Sequence, residues 1–151
     1  MDLGVVTTAS GGTCFEDGDN RGRVLAFGRD TGGRYSLMEY VVAPDPRAEP
    51  DYGPHLHREI EETFLVQRGR LRFLLADKTF DMNPGDFVRV PPGVRHGFAN
   101  LTGDEVALLV SFHPGGFEEL FIIHRSDQHP LPPPTGFMDD ARRLFASEFE
   151  G

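Results

Sequence analysis

The chain has 151 residues, the size of one ordinary domain, and its 18 glycines and 12 prolines favour many short strands and turns over a helical bundle. Its 15 basic and 24 acidic residues give a formal net charge of −9, which argues against nucleic acid and anionic membrane surfaces as partners. The single cysteine, Cys14, excludes an internal disulfide and fits a reducing, cytoplasmic environment.

The first predicted segment, residues 1–22, is polar and glycine-rich, and we expect it to form an N-terminal arm. After it, short β-branched and aromatic segments recur about every ten residues between turn signals, a spacing typical of a β-sandwich or barrel. Residues 23–114 are therefore predicted to form one all-β barrel. The predicted strands are Arg23–Gly28, Tyr35–Ala43, Thr63–Val66, Arg70–Ala76, Thr79–Met82, Phe87–Val90, Arg95–Asn100 and Glu105–Phe112.

The segment beyond the barrel, residues 115–151, has a different pattern and is predicted to be a helical extension. Apolar residues recur at helical spacing over 117–123 and again over 137–149. The second helix is too short to be stable alone in water, so its apolar stripe must dock. Its docking surface is either the barrel of the same chain, as a cover near the mouth, or the partner barrel of a homodimer. A stiff linker at 131–134, rich in proline, favours the more distant surface and therefore the homodimer.

The residues suited to chemistry lie in two spaced groups. His55 and His57 are two positions apart, so on a strand they face the same side, and Glu62 follows one bend later. His96 follows a Pro-Gly turn on a separate strand that can lie beside the first. Three imidazoles and one carboxylate suit one divalent transition-metal ion per chain, drawn from Fe, Mn, Ni, Co, Cu and Zn. Such a site leaves one or two positions for water, oxygen or substrate.

Both groups match sequence motifs of the cupin superfamily, and the resemblance covers about residues 35–114. In the first motif, G-x5-H-x-H-x3,4-E-x6-G, Glu49 stands in place of the opening glycine. The remaining fixed positions of that motif are His55, His57, Glu62 and Gly69. The second motif, G-x5-P-x-G-x2-H-x3-N, is matched at every fixed position, by Gly85, Pro91, Gly93, His96 and Asn100.

The resemblance implies a β-jelly-roll barrel with His55, His57, Glu62 and His96 as metal ligands, and Glu61 ranks second to Glu62 by spacing. This ligand set is similar to that of the quercetinase-like dioxygenases, and residues 114–121 resemble the segment after their barrel. It implies an oxidoreductase that acts with O2 on a phenolic or enolic ring compound. Glu62 would also accept the substrate hydroxyl proton, a role that needs burial among phenylalanines to raise its pKa.

Two other functions stay open. Small cupins also include non-redox metal enzymes, such as isomerases and cyclases of aromatic polyketides, and proteins that bind a small molecule without turnover. Oxygen uptake separates a dioxygenase from the non-redox enzymes, and turnover separates both from a binding protein. Outside the two motifs, Cys14 and His113 are expected to be chemically ordinary, as are His124 and His129.

Overall fold

The chain is described by a computed structural model over residues 1–47, 54–125 and 147–149. These ranges contain one 3-10 helix (Gly28–Thr31), one α-helix, α1 (Glu118–Arg125), and eleven strands. The strands are β1 (Thr13–Asp17), β2 (Asn20–Ala26), β3 (Ser36–Val42), β4 (His55–His57), β5 (Glu61–Arg68), β6 (Leu71–Leu75), β7 (Lys78–Met82), β8 (Phe87–Val90), β9 (His96–Ala99), β10 (Val106–His113) and β11 (Ser147–Phe149).

The strands form two antiparallel sheets, as expected for a β-jelly-roll. The larger sheet has the order β1-β2-β3-β10-β5-β8 and the smaller one the order β11-β4-β9-β6-β7. Buried and partly exposed residues alternate along β3 and along most of β10, so one face of the larger sheet points into the barrel. Apolar side chains from both sheets fill the interior, among them Met38, Phe64, Leu71, Phe73 and Leu108. The all-β fold predicted from the sequence is therefore confirmed.

The turn between β5 and β6 shows why glycine is needed at one motif position. Gly69 has a φ of 83°, in the left-handed region that residues with a side chain rarely adopt. A Cβ atom at this position would also lie 2.9 Å from the carbonyl oxygen of Glu105. The turn between β7 and β8, which contains Gly85, is held by a local hydrogen bond. In it the Asn83 N–H donates to the Asp86 carboxylate over 2.8 Å.

The larger sheet begins earlier than the sequence predicts. Strand β1 starts at Thr13 and pairs with β2 from Asn20, so ten residues expected in an arm lie within or between strands, and residues 1–12 contain no helix or strand. Phe15 is buried in the core and its ring covers Gly22, where a Cβ atom would collide with it. A single aromatic residue packed on a glycine produces no alternation of polar and apolar residues. The sequence therefore does not predict a strand here.

Beyond the barrel, the structure confirms one predicted helix and changes part of the other. Helix α1 covers most of the periodic segment 117–123. The helix predicted over 137–149 is wrong at Ser147–Phe149, which form β11 and pair with β4. The edge of β4 offers unpaired backbone groups to a neighbouring strand, and this pairing overrides the helical spacing. Residues 126–146, with the proline linker and the rest of that helix, lie outside the described residues. No helix in the described ranges is long and apolar enough to cross a membrane.

Candidate metal centre

Four polar side chains meet inside the barrel where the two sheets face each other. Strand β4 carries His55 and His57, and β9 places His96 directly opposite His55, with 4.4 Å between the two ring centroids. Glu62 comes from β5, in the other sheet. We call these four residues the His/Glu cluster. The sequence predicted all four, and the structure brings them together.

The turn before β9 fixes the position of His96. Gly93 has a φ of 79°, and its N–H donates to the carbonyl of His57 over 2.7 Å, which ties this turn to β4. The Nδ1 atom of His96 lies 3.0 Å from the carbonyl oxygen of Val94, so Nδ1 carries the proton and donates it. This hydrogen bond orients the ring and directs Nε2 at the cluster.

The cluster is compact and shielded from solvent. One possible ligand atom from each residue lies within 4.8 Å of the others. The Oε2 atom of Glu62 is 2.8 Å from His96 Nε2 and 3.4 Å from His57 Nε2. Only 1% of His96, 2% of His57 and 6% of Glu62 is exposed, while His55 is partly buried. Imidazole and carboxylate groups are rarely buried in a protein core unless they pair with each other or bind a metal ion.

The charges of the cluster stabilise one another. Burial disfavours the ionised form of Glu62, but hydrogen bonds and positive charge from His57 and His96 outweigh it and lower the pKa of Glu62 to about 2. Burial likewise disfavours charged His96, yet Glu62 and the Val94 carbonyl hold the pKa of His96 above its ordinary value. The raised pKa that burial led us to expect for Glu62 is therefore wrong for this arrangement.

The donor set fits a divalent transition-metal ion. Imidazole nitrogen and carboxylate oxygen bind such ions at about 2.0–2.2 Å, so ligand atoms that share one ion lie within about 4.4 Å of each other. The observed spread of up to 4.8 Å is close to this limit. Glu62 is ionised at neutral pH, and His96 Nε2 faces the cluster while Nδ1 is engaged elsewhere. The His/Glu cluster can therefore bind a metal ion.

Glu61 and Glu62 have different surroundings. In the sequence, only their spacing from the other motif residues distinguishes them. Glu62 is in the cluster, whereas the Glu61 carboxylate pairs with Arg89 at 2.6 Å on the outer face of the sheet. Asn100 is buried outside the cluster and donates from Nδ2 to the carbonyls of Val42 and Asp104. Asn100 thus holds a loop, as its turn position predicts.

One residue beside the cluster was not singled out by the sequence. The ring of Phe117, just before α1, is 4.9 Å from the His57 ring and 5.0 Å from that of Phe112. The spacing of Phe117 predicted only a helix face, since a contact between the post-barrel segment and β4 is not visible in a linear pattern. Phe64 lies 6.2 Å from the His96 ring, so aromatic side chains border the cluster.

The structure describes the surroundings of two other residues considered from the sequence, His113 and Cys14, whereas His129 lies outside the described residues. The Nε2 atom of His113 is 2.9 Å from Ser111 Oγ, and its ring is 6.1 Å from that of Tyr35. Cys14 is an exposed thiol on β1. Neither residue belongs to the four-residue cluster.

Comparison with known sequences places these motifs in a family. The family model described as Cupin domain matches residues 39–112. Quercetin 2,3-dioxygenase from Bacillus subtilis (strain 168) is 27% identical over 104 residues. That match covers 69% of this chain but 29% of the relative, so the chain spans less than a third of the relative's length.

Solved structures of similar fold include enzymes with other activities. The polyketide cyclase RemF from Streptomyces resistomycificus is 28% identical with a TM-score of 0.52, and the match covers 64% of this chain and 66% of that one. A sugar phosphate isomerase from Silicibacter pomeroyi is 25% identical with a TM-score of 0.50, covering 62% and 59%. The family match contains both spaced motifs and the whole His/Glu cluster within the jelly-roll, and the chain therefore belongs to the cupin superfamily.

Proposed function

We propose that the His/Glu cluster binds one divalent transition-metal ion per chain and that the protein is a dioxygenase. Its substrates would be O2 and a phenolic or enolic ring compound. The convergence of three imidazoles and one carboxylate inside a buried, aromatic-lined barrel carries this proposal. The similarity to quercetin 2,3-dioxygenase supports the reaction class, because it extends over 104 residues.

Glu62 would act both as a ligand and as the proton acceptor. A bound transition ion supplies Lewis acidity, which makes a coordinated hydroxyl more acidic, and gives access to O2 chemistry. The pKa of Glu62 near 2 keeps its carboxylate ionised at neutral pH, the form that both roles require. Glu62 accepts the substrate hydroxyl proton at a carboxylate oxygen, and the acidity of that hydroxyl compensates for the weakness of the base.

The neighbouring groups orient the reactants and exclude water. The Val94 carbonyl fixes the ring of His96, so the direction of its Nε2 atom is set before any ligand arrives. The rings of Phe64 and Phe117 lie against His96 and His57 and offer flat apolar surfaces to a planar substrate. Exclusion of water by these rings strengthens the electrostatic interactions within the cluster.

A non-redox reaction is the second candidate, and two similar structures favour it. RemF is a polyketide cyclase and the Silicibacter pomeroyi protein is a sugar phosphate isomerase. The same residues would hold an enolic substrate, and Glu62 would move a proton without any use of O2. Oxygen consumption separates this candidate from the dioxygenase.

The test is an oxygen-electrode assay of protein loaded separately with Fe, Mn, Ni, Co, Cu and Zn. Quercetin and a simpler enediol serve as substrates. We expect at least one metal form to consume O2 as the substrate disappears. Glu61→Gln, which changes the neighbouring outward-facing glutamate, is the matched control and should behave as wild type.

Three results would overturn the proposal. Conversion of a phenolic or enolic compound by metal-loaded protein without O2 uptake would assign the protein to the cyclase or isomerase class. Absence of both conversion and O2 uptake in every metal form would leave a binding protein without turnover. Equal O2 uptake by wild type and by the His57→Ala/His96→Ala variant would show that the His/Glu cluster is not the reaction site.

A further inference from the structure

A cavity lies outside the barrel, between the N-terminal segment and the outer face of the larger sheet, and we call it the outer cavity. Its volume is about 320 Å³, and it is lined by residues from three parts of the chain, 2–7, 25–26 and 30–37. Leu37 lines it and is partly exposed, whereas its neighbours Ser36 and Met38 on β3 are buried. The sheet therefore separates the outer cavity from the His/Glu cluster. Its volume is in the range of small-molecule sites.

Hydrogen bonds hold two walls of the outer cavity in place. In the N-terminal wall, Thr7 Oγ1 donates to the carbonyl of Leu25 over 2.7 Å, which ties this wall to β2. In another wall, the N–H of Tyr35 donates to the buried Thr31 hydroxyl over 3.1 Å, which closes the turn after the 3-10 helix. A ligand would meet walls that are already ordered, and preformed sites bind at a lower entropic cost.

The guanidinium of Arg34 lines the outer cavity in a fixed orientation. Its Nε atom donates to the carbonyl of Thr31 over 2.9 Å, which fixes the plane of the group. Among the described residues, the two terminal nitrogens of Arg34 have no acceptor and form no ion pair. Two such nitrogens match the two oxygens of a carboxylate, which they bind in parallel. Arg34 is therefore suited to hold the carboxylate of a ligand.

Two carboxylates, those of Asp2 and Asp30, line the same cavity. Asp30 Oδ2 accepts a hydrogen bond from the Phe27 N–H over 2.9 Å, and Asp2 Oδ1 accepts one from the Gly4 N–H over 2.8 Å. The backbone thus positions both groups, and within the described ranges neither forms an ion pair with Arg34 or with another cation. One guanidinium and two unpaired carboxylates around a cavity complement a ligand that has both a negative and a positive group.

Apolar side chains complete the lining of the outer cavity. Leu25 and Leu37 are partly exposed, Val5 is 55% exposed and Tyr35 is 40% exposed. A ligand that covers these side chains removes apolar surface from water, which favours binding. Small-molecule sites commonly combine such a lining with a few polar groups that set the orientation of the ligand. The ligand that fits best therefore has an apolar part as well as its two charges.

We propose that the outer cavity binds a free α-amino acid with an apolar or aromatic side chain. Arg34 binds the carboxylate of this ligand, and Asp2 and Asp30 bind its ammonium group. The apolar lining contacts its side chain. This second site is independent of the reaction proposed for the His/Glu cluster, because the two lie on opposite faces of the larger sheet.

The experiment is isothermal titration calorimetry of metal-loaded protein with three probes that differ in charge. Phenylalanine has both charges, 3-phenylpropionate lacks the ammonium group, and 2-phenylethylamine lacks the carboxylate. We expect phenylalanine to bind about tenfold more tightly than either of the others. Arg34→Gln should weaken phenylalanine binding about tenfold and leave phenylethylamine unchanged. Asp30→Asn keeps an oxygen for the Phe27 N–H, and should weaken phenylalanine and phenylethylamine but not phenylpropionate.

Two control variants locate the bound amino acid. Arg29→Gln changes an exposed arginine of the 3-10 helix that is outside the cavity lining, and should bind phenylalanine as wild type does. The His57→Ala/His96→Ala variant should also bind it as wild type does, since loss of binding there would place the amino acid on the metal ion and overturn the proposal. Unchanged phenylalanine binding by Arg34→Gln would overturn it too, as would equal affinity for all three probes or no binding of phenylalanine by wild type.

Discussion

Glu62 and His96 come from different sheets, yet Glu62 Oε2 lies 2.8 Å from His96 Nε2 in an almost fully buried pair. The pair links the sheets through two groups that would each be unfavourable if buried alone. It also brings together a carboxylate and an imidazole that a bound metal ion would contact. Changes to the members of this pair are therefore the most informative tests of the proposed chemistry.

Replacement of Glu62 separates its two proposed roles. Glu62→Gln keeps an oxygen that can bind a metal but removes the proton acceptor, so metal should be largely retained while turnover falls about 100-fold or more. Steady-state kinetics and metal analysis of the same sample measure both effects. Glu61→Gln, with its outward contact to Arg89, should show neither. Near-normal turnover of metal-loaded Glu62→Gln would contradict the role of Glu62 as base.

Chelator-treated protein should show a characteristic pH dependence of stability. The pKa of Glu62 is about 2 in the folded chain against an ordinary 4.5, so its contribution is complete above pH 4.5 and is lost as the pH falls towards 2. The pKa of His96 is raised above 6.5, so its contribution is complete below pH 6.5 and is lost as the pH rises through the raised value.

Urea unfolding of wild type and Glu62→Gln across this pH range measures the effect. The difference in free energy of unfolding should be largest between pH 4.5 and 6.5 and shrink on both sides. A difference that does not vary with pH would contradict the charge pairing of Glu62 and His96.

A second buried carboxylate holds the post-barrel segment. Glu118 is fully buried and accepts hydrogen bonds from the N–H groups of Gly28, at 2.6 Å, and Gly116, at 2.7 Å. Glu118→Gln turns an N–H donor of the new amide towards one of these donors, and should lower the free energy of unfolding by about 1–3 kcal/mol. Urea denaturation measures this loss. Glu119→Gln, which removes the charge that pairs with the exposed Arg29, should cost less than about 1 kcal/mol. Equal losses of unfolding free energy for the two substitutions would contradict the role of buried Glu118 in holding the post-barrel segment.

Removal of β11 should weaken the metal centre. Strand β4 carries two cluster residues and pairs with β11 on one side and β9 on the other. A chain that ends at residue 146 loses the first pairing, so we expect about tenfold weaker metal affinity in competition with a coloured chelator. A chain that ends at residue 149 keeps β11 and is the control. Equal affinity of the two chains would show that β11 does not support the cluster.

The sequence predicts the barrel strands and the His/Glu cluster because their signals are local. Alternation along β3 and β10, the spacing of His55 and His57, and the Pro-Gly turn before His96 are all visible in short segments. Tertiary contacts then distinguish two residues that spacing leaves close, because Glu62 lies beside His96 whereas Glu61 pairs with Arg89.

The features that the sequence does not predict depend on partners far along the chain. Strand β1 relies on the packing of Phe15 over Gly22, and β11 relies on the edge of β4. The contact of Phe117 with His57 joins segments about 60 residues apart and leaves no periodic signal.

The most direct test of the central claim is the metal content of purified, metal-loaded protein after dialysis, determined by elemental analysis for wild type and the His57→Ala/His96→Ala variant. Circular dichroism of both samples establishes that the variant keeps its barrel. The proposed metal centre predicts about one ion per chain in wild type and less than about a tenth of that in the variant. A folded variant that retains the wild-type metal content would contradict the assignment of the His/Glu cluster as the metal centre.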